Sequence, residues 1–214
     1  MGKWTRRGVL SAGVLGGTGL VIGIAVRPGN PTETAGHLVA GDGENLLHIY
    51  LKIDAENRAT AILPHSEMGQ GAQTALTQML AEELDADWDL MSFEEAPADG
   101  AYANNALGRA YLFKGINFPD SVVPTVDGLM LNVADAIGMQ VTGGSLSIRA
   151  TGQYFLRAAG ASVREMLVKT ASKAWGVPES EIRTAKSVLH HDGSGRSAPY
   201  SEFAAAAAEM TPSS

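Results

Sequence analysis

Between Leu46 and Ala96 the apolar pattern changes period twice, and few architectures satisfy both changes. "LLHIYLKID" (46–54) alternates, placing Leu47, Ile49, Leu51 and Ile53 on one side, which predicts a strand. The polar "AENR" (55–58) and the apolar "ATAILP" (59–64) then predict a turn and a returning strand, hence a hairpin. From about Gln73 to Leu84 the spacing becomes helical, with Leu76, Met79, Leu80 and Leu84 on one face and Glu82 and Glu83 turned away. "WDLMSFEEA" (88–96) predicts another strand. Strand, loop, helix, strand is the grammar of an α/β unit. The expected class is therefore α/β (α+β), a mixed sheet with hairpins and packed helices.

Residues 97–125 are rich in glycine and asparagine and lack periodicity, so they are expected to form a long ordered loop. A helix is expected over 125–139, a glycine-rich turn over 141–150, and the strongest helix over about Gly152 to Trp175. Phe155, Ala159, Val163, Met166, Leu167, Thr170 and Ala174 line one side of it, and Gly176-Val177-Pro178 ends it. "EIRTAKSVLH" (181–190) predicts a strand, "HDGSGR" (191–196) a turn, and "YSEFAAAAAEM" (200–210) a short helix. Trp88 and Trp175, each just after a helix, suit core or boundary anchors.

The first 26 residues fit no packed domain. Thr5-Arg6-Arg7-Gly8-Val9-Leu10 resembles a twin-arginine export signal, and an uncharged stretch runs on to Val26. The stretch approaches the length of a membrane span, so an uncleaved anchor in the inner membrane is the alternative. Either implies work outside the cytoplasm, in the periplasm. Residues 27–45, rich in Pro, Gly and Thr, predict a linker.

Charge and composition exclude several functions. The formal net charge is −7, and the 16 Lys and Arg form no dense stripe, so nucleic acid is not an expected partner. With no cysteine, the chain holds no disulfide, thiolate nucleophile or iron–sulfur cluster of its own. His190-His191 precedes Asp192-Gly193 and predicts a solvent-exposed hairpin tip rather than a metal site. No G-x-S-x-G and no Ser–His–Asp set stands out, which disfavours a hydrolase.

Two glycine loops carry the candidate chemistry. Gly69, Gln70 and Gly71 precede the first helix, and Thr142, Gly143, Gly144, Ser145 and Ser147 precede the long one. Glycine permits tight turns and close backbone approach, and helix starts attract anions. The pair suits a ligand with several separated polar groups, such as a pyrophosphate-bearing cofactor. Neither loop matches the dinucleotide or P-loop patterns. Plain turn glycines with polar decoration account for the residue types equally well. His65, beside Pro64 at a strand end, is a candidate pocket residue.

"SEMGQGAQTALTQMLAEELDADW" (66–88) and "NVADAIGMQVTGGSLSIRATGQYFLRAAGASVREML" (132–167) resemble the molybdopterin-binding large subunit of the xanthine dehydrogenase/aldehyde oxidoreductase family, nearest the isoquinoline 1-oxidoreductase beta-subunit type. The resemblance runs from about Leu46 to Met210. It implies that Gly69-Gln70-Gly71 borders the molybdenum, with the Gln70 amide on an oxygen ligand of the metal. Thr142 to Ser147 would wrap the pterin or its nucleotide tail, giving a molybdenum–molybdopterin cytosine dinucleotide site. The pterin's dithiolene holds the metal, so no Cys or His ligand set is required. The implied reaction hydroxylates an aldehyde or an N-heterocycle with oxygen from water. A small iron–sulfur subunit would take the electrons.

The family's general base, a glutamate in a Gly-Glu context late in a much longer chain, has no equivalent here. Gly43-Glu44 and Glu67 are expected to be structural or solvated. The expected organisation is a leader (1–26), a linker (27–45), a partial molybdopterin-binding domain (46–210) and a tail (211–214), with the remaining part of the molybdenum subunit as partner. The competing reading is a non-catalytic exported α/β module for binding or assembly. Whether the two glycine loops meet in space separates the two.

Overall fold

A computed structural model describes residues 36–104, 113, 116–119 and 121–210. The expected leader, the first part of the linker, the middle of the 97–125 loop and the tail lie outside the described residues.

Four strands form one mixed sheet in the order β1-β2-β3-β4: β1 Asn45–His48, β2 Leu51–Ile53, β3 Ala59–Leu63 and β4 Met91–Glu95. The first three pair antiparallel, and β4 lies parallel to β3, with Ala59 opposite Met91 and Leu63 opposite Glu95. Helix α1, Ala72–Leu84, makes the crossover between β3 and β4. This is the strand–loop–helix–strand unit that the periodicity predicts.

Residues 46–54 do not form one strand, however. The chain folds back at Ile49-Tyr50, so β1 and β2 pair with each other. Leu47, Ile49, Leu51 and Ile53 are all buried as expected, but so are Tyr50 and Lys52. Alternation fails as a guide where both faces of a sheet are covered. The Tyr50 ring turns inward against Tyr102 and Phe155, with ring centroids 6.0 and 6.3 Å away.

Helix α2, Val123–Ala136, follows, and the rest of the helical layer is nearly one continuous rod. Helix α3 spans Gly144–Thr151, a π-helical turn Gly152–Leu156, and α4 Arg157–Trp175. The long helix thus starts at Gly144 rather than at about Gly152 as expected. Gly152 is no helix start. It lies inside the rod, where a Cβ would run into Met79 and come within 3.3 Å of Leu76 Cδ2 on α1. Gly160 lies against α1 in the same way, and Arg157 pairs with Glu83 across the two helices. Ala159, Val163, Met166, Leu167 and Thr170 are buried as predicted, but Ala174 is exposed and Ala171 takes its place. Gly176 ends α4 in the left-handed region at φ 68°.

A second, antiparallel sheet closes the fold: β5 Ile182–Ala185, β6 Val188–His191 and β7 Arg196–Pro199, followed by α5, Tyr200–Ala208. The expected single strand 181–190 is two strands joined at Lys186-Ser187, whose φ values are 50° and 60°. Such a turn normally announces itself with Asn-Gly. Here tertiary bonds impose it: Ser187 N–H donates to Asp85 O, its hydroxyl accepts from Asp87 N–H, and its carbonyl accepts from Tyr200 N–H and Asn57 Nδ2.

Trp175 packs edge-on to Phe203, whereas Trp88 is half exposed. His191 is not solvent-exposed at the hairpin tip. It is buried between Glu181 Oε2 (2.9 Å) and Ser194 Oγ (2.7 Å). The expected linker is also tied down in part: Val39 is buried, and its carbonyl accepts from Lys52 Nζ at 2.7 Å.

Candidate functional site

The Gly-Gln-Gly loop is held by its own acid. Glu67 Oε1 accepts from Gly69 N–H (2.7 Å) and Gly71 N–H (3.0 Å), and Oε2 from Gln73 N–H (3.3 Å). These bonds, the one from Gly71 foremost, hold the carboxyl below its ordinary pKa although it is exposed. Gly69 and Gly71 both have positive φ, 91° and 76°, which only glycine takes without strain. The N-terminus of α1 is therefore already occupied by a carboxylate. The expectation that it attracts an external anion is corrected: Glu67 uses the N–H groups a phosphate would need.

Gln70 is partly committed as well. Its Oε1 accepts from Met68 N–H at 2.6 Å, and its Nε2 donates to Ser66 O at 2.9 Å. A primary amide has two N–H donors, so one hydrogen on Nε2 remains available to a ligand oxygen.

The second loop docks onto the first. Ser66 N–H donates to Thr142 Oγ1 at 3.1 Å. The His65 ring bridges Thr142 Oγ1 (3.4 Å, at Nδ1) and Thr151 Oγ1 on α3 (2.7 Å, at Nε2). Asn104 adds a third tie: its N–H donates to Met139 O at 3.0 Å, and its side-chain amide, turned to suit, pairs with Val141 N and O at 3.1 and 3.2 Å. Helix α3 then begins at Gly144, so Ser145 and Ser147 are helical rather than loop residues. Ser147 is fully buried and accepts from Gly143 N–H at 2.7 Å, which turns its oxygen back into its own turn. Gly143 and Gly144 make the turn itself, Gly144 at φ 55°.

Beside this junction lies a cavity of about 320 Å³, lined among others by His65, Ser66, Glu95, Asp99, Gln140 and Thr142. It opens where the parallel strands β3 and β4 end, at Leu63 and Glu95. That is the place open α/β sheets offer a ligand. Of the eight residues singled out in the two loops, Thr142 lines it and the other seven do not. Glu95 and Asp99 were missed because the parallel pairing of β3 with β4 is a tertiary fact, and Gln140 because no local pattern marks it. Had that pairing been assumed, the residues just beyond each strand end would have been candidates.

Burial pushes His65 down to about 4, with the Val141 carbonyl opposing only in part, and burial does the same to His48. Both imidazoles are neutral in the fold, and the unfolded chain binds their protons more readily. Stability is therefore full above the ordinary imidazole range and is lost as pH falls towards 4. The thermal midpoint is expected to be level above about pH 7 and to fall between pH 6 and 4, and His65→Gln should remove roughly half of that fall. An equal fall in the variant would place the titrating groups elsewhere.

Cutting the Glu67 contacts has a separate signature. Glu67→Ala should loosen the Gly-Gln-Gly loop and the start of α1, whose N–H groups it accepts from. It should also speed amide exchange at Gly69, Gly71 and Gln73 while leaving α4 unchanged, which exchange mass spectrometry resolves.

No protein-family model matches the chain. It is 35% identical over 160 residues to the isoquinoline 1-oxidoreductase subunit beta of Brevundimonas diminuta, covering 74% of this chain and 16% of that one. It is 25% identical over 191 residues to the membrane-bound aldehyde dehydrogenase [pyrroloquinoline-quinone] of Gluconacetobacter polyoxogenes, covering 88% and 20%. Among solved structures, quinoline 2-oxidoreductase from Pseudomonas putida 86 superposes with a TM-score of 0.44 at 16% identity, over 73% of this chain and 15% of that one.

By sequence the chain is thus a relative of the molybdopterin-binding oxidoreductase subunits of the xanthine dehydrogenase/aldehyde oxidoreductase family. The relative that makes the link is of the isoquinoline 1-oxidoreductase beta type, and this chain spans about a sixth of its length. Among the described residues no helix is long and apolar enough to cross a membrane.

Proposed function

We propose that this chain supplies part of the cofactor cradle in the catalytic subunit of a molybdenum hydroxylase. The bond from Ser66 N–H to Thr142 Oγ1 supports this reading most directly, because it ties the stretch leading into Gly69–Gly71 to the loop at Thr142–Ser147, the two that an extended cofactor would have to touch together. A molybdenum–molybdopterin cofactor, in its cytosine dinucleotide form, would supply the oxidation of an aldehyde or an N-heterocycle with oxygen from water.

The residues present fit such a group in a particular way. Gln70 has one amide hydrogen left to donate to a neutral or anionic oxygen, and the positive-φ glycines beside it bring the backbone close. Because Glu67 occupies the start of α1, a pyrophosphate belongs nearer Thr142–Ser145 than Gly69–Gly71. His65, buried and neutral, fixes Thr142 and so orients the second loop. No residue of this chain is assigned as general base. That group, the substrate funnel and the remaining cofactor contacts are assigned to the rest of the subunit, and the electrons to a small iron–sulfur partner. Export by the twin-arginine route to the periplasm, with the leader cleaved or kept as an inner-membrane anchor, completes the reading.

A non-catalytic exported α/β binding or assembly module is the second reading. It is favoured by one observation, that both polar ends of the Gln70 amide already have partners within its own loop. The Ser194–His191–Glu181 row, of which only His191 is buried, has the order of a nucleophilic triad but sits at a hairpin tip, away from the cavity at the ends of β3 and β4, so hydrolysis is not proposed. Turnover in ¹⁸O-labelled water, with the partner chains co-expressed, tests the leading reading. Label from water should enter the product. Product left unlabelled would overturn it.

A further inference from the structure

The first sheet has an open side. Among the described residues β4 pairs only with β3. Ala96 N–H, one residue past the strand, donates to Leu63 O at 2.9 Å, while Ile62 N–H on β3 points the other way, to Tyr50 O at 3.0 Å. Backbone groups alternate in direction along a strand, so Ser92 and Glu94 turn their N–H and C=O towards β3. Met91, Phe93 and Glu95 turn theirs outward. Met91 N–H closes the preceding 3₁₀ turn on Trp88 O. The N–H and C=O of Phe93 and Glu95 meet no partner among the described residues.

Proteins guard such an edge with a proline, a bulge, charge or a covering element. Here the sequence is Met-Ser-Phe-Glu-Glu, the register with β3 is unbroken, and Phe93 is 45% exposed. Charge enters only at the C-terminal end, where Glu94 turns to Lys52 and Glu95 is exposed. We infer that the edge is completed by a fifth strand, an extended segment of the remaining molybdenum subunit, apolar where it meets Phe93 and basic on either side. The chain spans about a sixth of the length of its isoquinoline 1-oxidoreductase relative, so most of such a subunit stands outside it. The edge also runs into the cavity at Glu95, where the rest of the subunit has to reach to complete the proposed site. Exposed Asp89 and Glu95 flank Phe93 with negative charge, which calls for Lys or Arg opposite. A second copy pairing antiparallel about Phe93 would instead bring Glu95 of each copy towards Asp89 of the other, and like charges oppose it. The choice of partner rests on the functional reading, whereas the open edge does not.

The test is residue-resolved amide exchange on the chain alone and co-expressed with the rest of its subunit, beside Phe93→Pro. In the assembly the Phe93 and Glu95 amides should exchange about tenfold or more slowly than in the chain alone, with Ser92 and Glu94 protected in both. Proline at 93 removes only an outward N–H, so the thermal midpoint of the chain alone should move little. The same substitution should weaken the assembly about tenfold, through the lost hydrogen bond and the ring standing in the way of the added strand. Phe93 and Glu95 amides that exchange alike in both states would overturn the inference, as would an assembly indifferent to Phe93→Pro or no assembly at all. Protection already present in the chain alone and lost on dilution would give the edge to a second copy and overturn it too. Should Phe93→Pro fail to fold, the exchange comparison on the unaltered chain decides. A protected edge in an assembly free of molybdenum would uphold this inference while removing the functional reading, and an open edge in a molybdenum-loaded assembly would do the reverse.

Discussion

Gly160→Ala is expected to lower stability by roughly 2–3 kcal/mol, as overpacking of a tight helix contact does. An added Cβ would stand 2.5 Å from the Leu80 carbonyl oxygen, 3.1 Å from Glu83 Cβ and 3.1 Å from Leu84 N. Two of these three atoms are backbone, so no side chain can swing away, and α1 and α4 must separate. Separation loosens Leu76, Leu80 and Leu84, all fully buried, from Val163 and Leu167. For a chain of this size the thermal midpoint should drop by roughly 5–10 °C, read by far-ultraviolet circular dichroism. Ala158→Ser, at an exposed position on the same helix, is the control and should shift it little. An unchanged midpoint in Gly160→Ala would mean that the helices stand farther apart than described.

Lys52→Met is the second large effect. The Lys52 side chain is 7% exposed, and its ammonium meets Val39 O at 2.7 Å, Glu44 Oε2 at 2.9 Å and Glu94 Oε2 at 2.9 Å. Burial alone would lower its pKa, but the hydrogen bonds to Glu44 and Glu94 outweigh it and leave the pKa raised. The cation therefore stabilises the fold at neutral pH and loses that effect only as pH rises through the raised value. Removing one partner of a buried ion pair costs several kcal/mol. Both carboxylates are partly exposed and can turn to water, so about 2 kcal/mol is expected here. The loss should be local, with residues 36–44 becoming sensitive to proteolysis before the rest of the chain melts. Equal protection of that segment in the variant would show that Val39 is held by packing alone.

The sequence carried the βαβ unit plainly, because Leu76, Leu80 and Leu84 repeat at helical spacing between two strand-like runs. It misled where tertiary contacts set the backbone. Tyr50 turns inward among other aromatic rings and folds one apparent strand into two, and Ser187 makes a left-handed turn that its residue type does not advertise. Gly152 shows the opposite error: a glycine that marks a helix boundary by propensity serves here as the contact point for α1. Within the site, the two loops were legible as motifs but their chemistry was not. Glu67, expected to be structural or solvated, turned out to fill the helix terminus that an anion would have used. The cavity residues Glu95, Asp99 and Gln140 carry no local pattern, since only the parallel pairing of β3 with β4 brings the first two beside Thr142.

The central claim is that the joined loops at Ser66 and Thr142 belong to a molybdenum cofactor cradle. The second relative's name attaches a different cofactor, pyrroloquinoline quinone, to that protein. The most direct measurement is therefore the molybdenum and cytosine-nucleotide content of the chain purified from a host that makes the cofactor, co-expressed with the rest of its subunit, beside Gln70→Ala and with a redox-cycling assay for bound quinone. Stoichiometric molybdenum and nucleotide, clearly reduced in Gln70→Ala, is the predicted result. A folded assembly free of molybdenum, or one carrying quinone in its place, would contradict it.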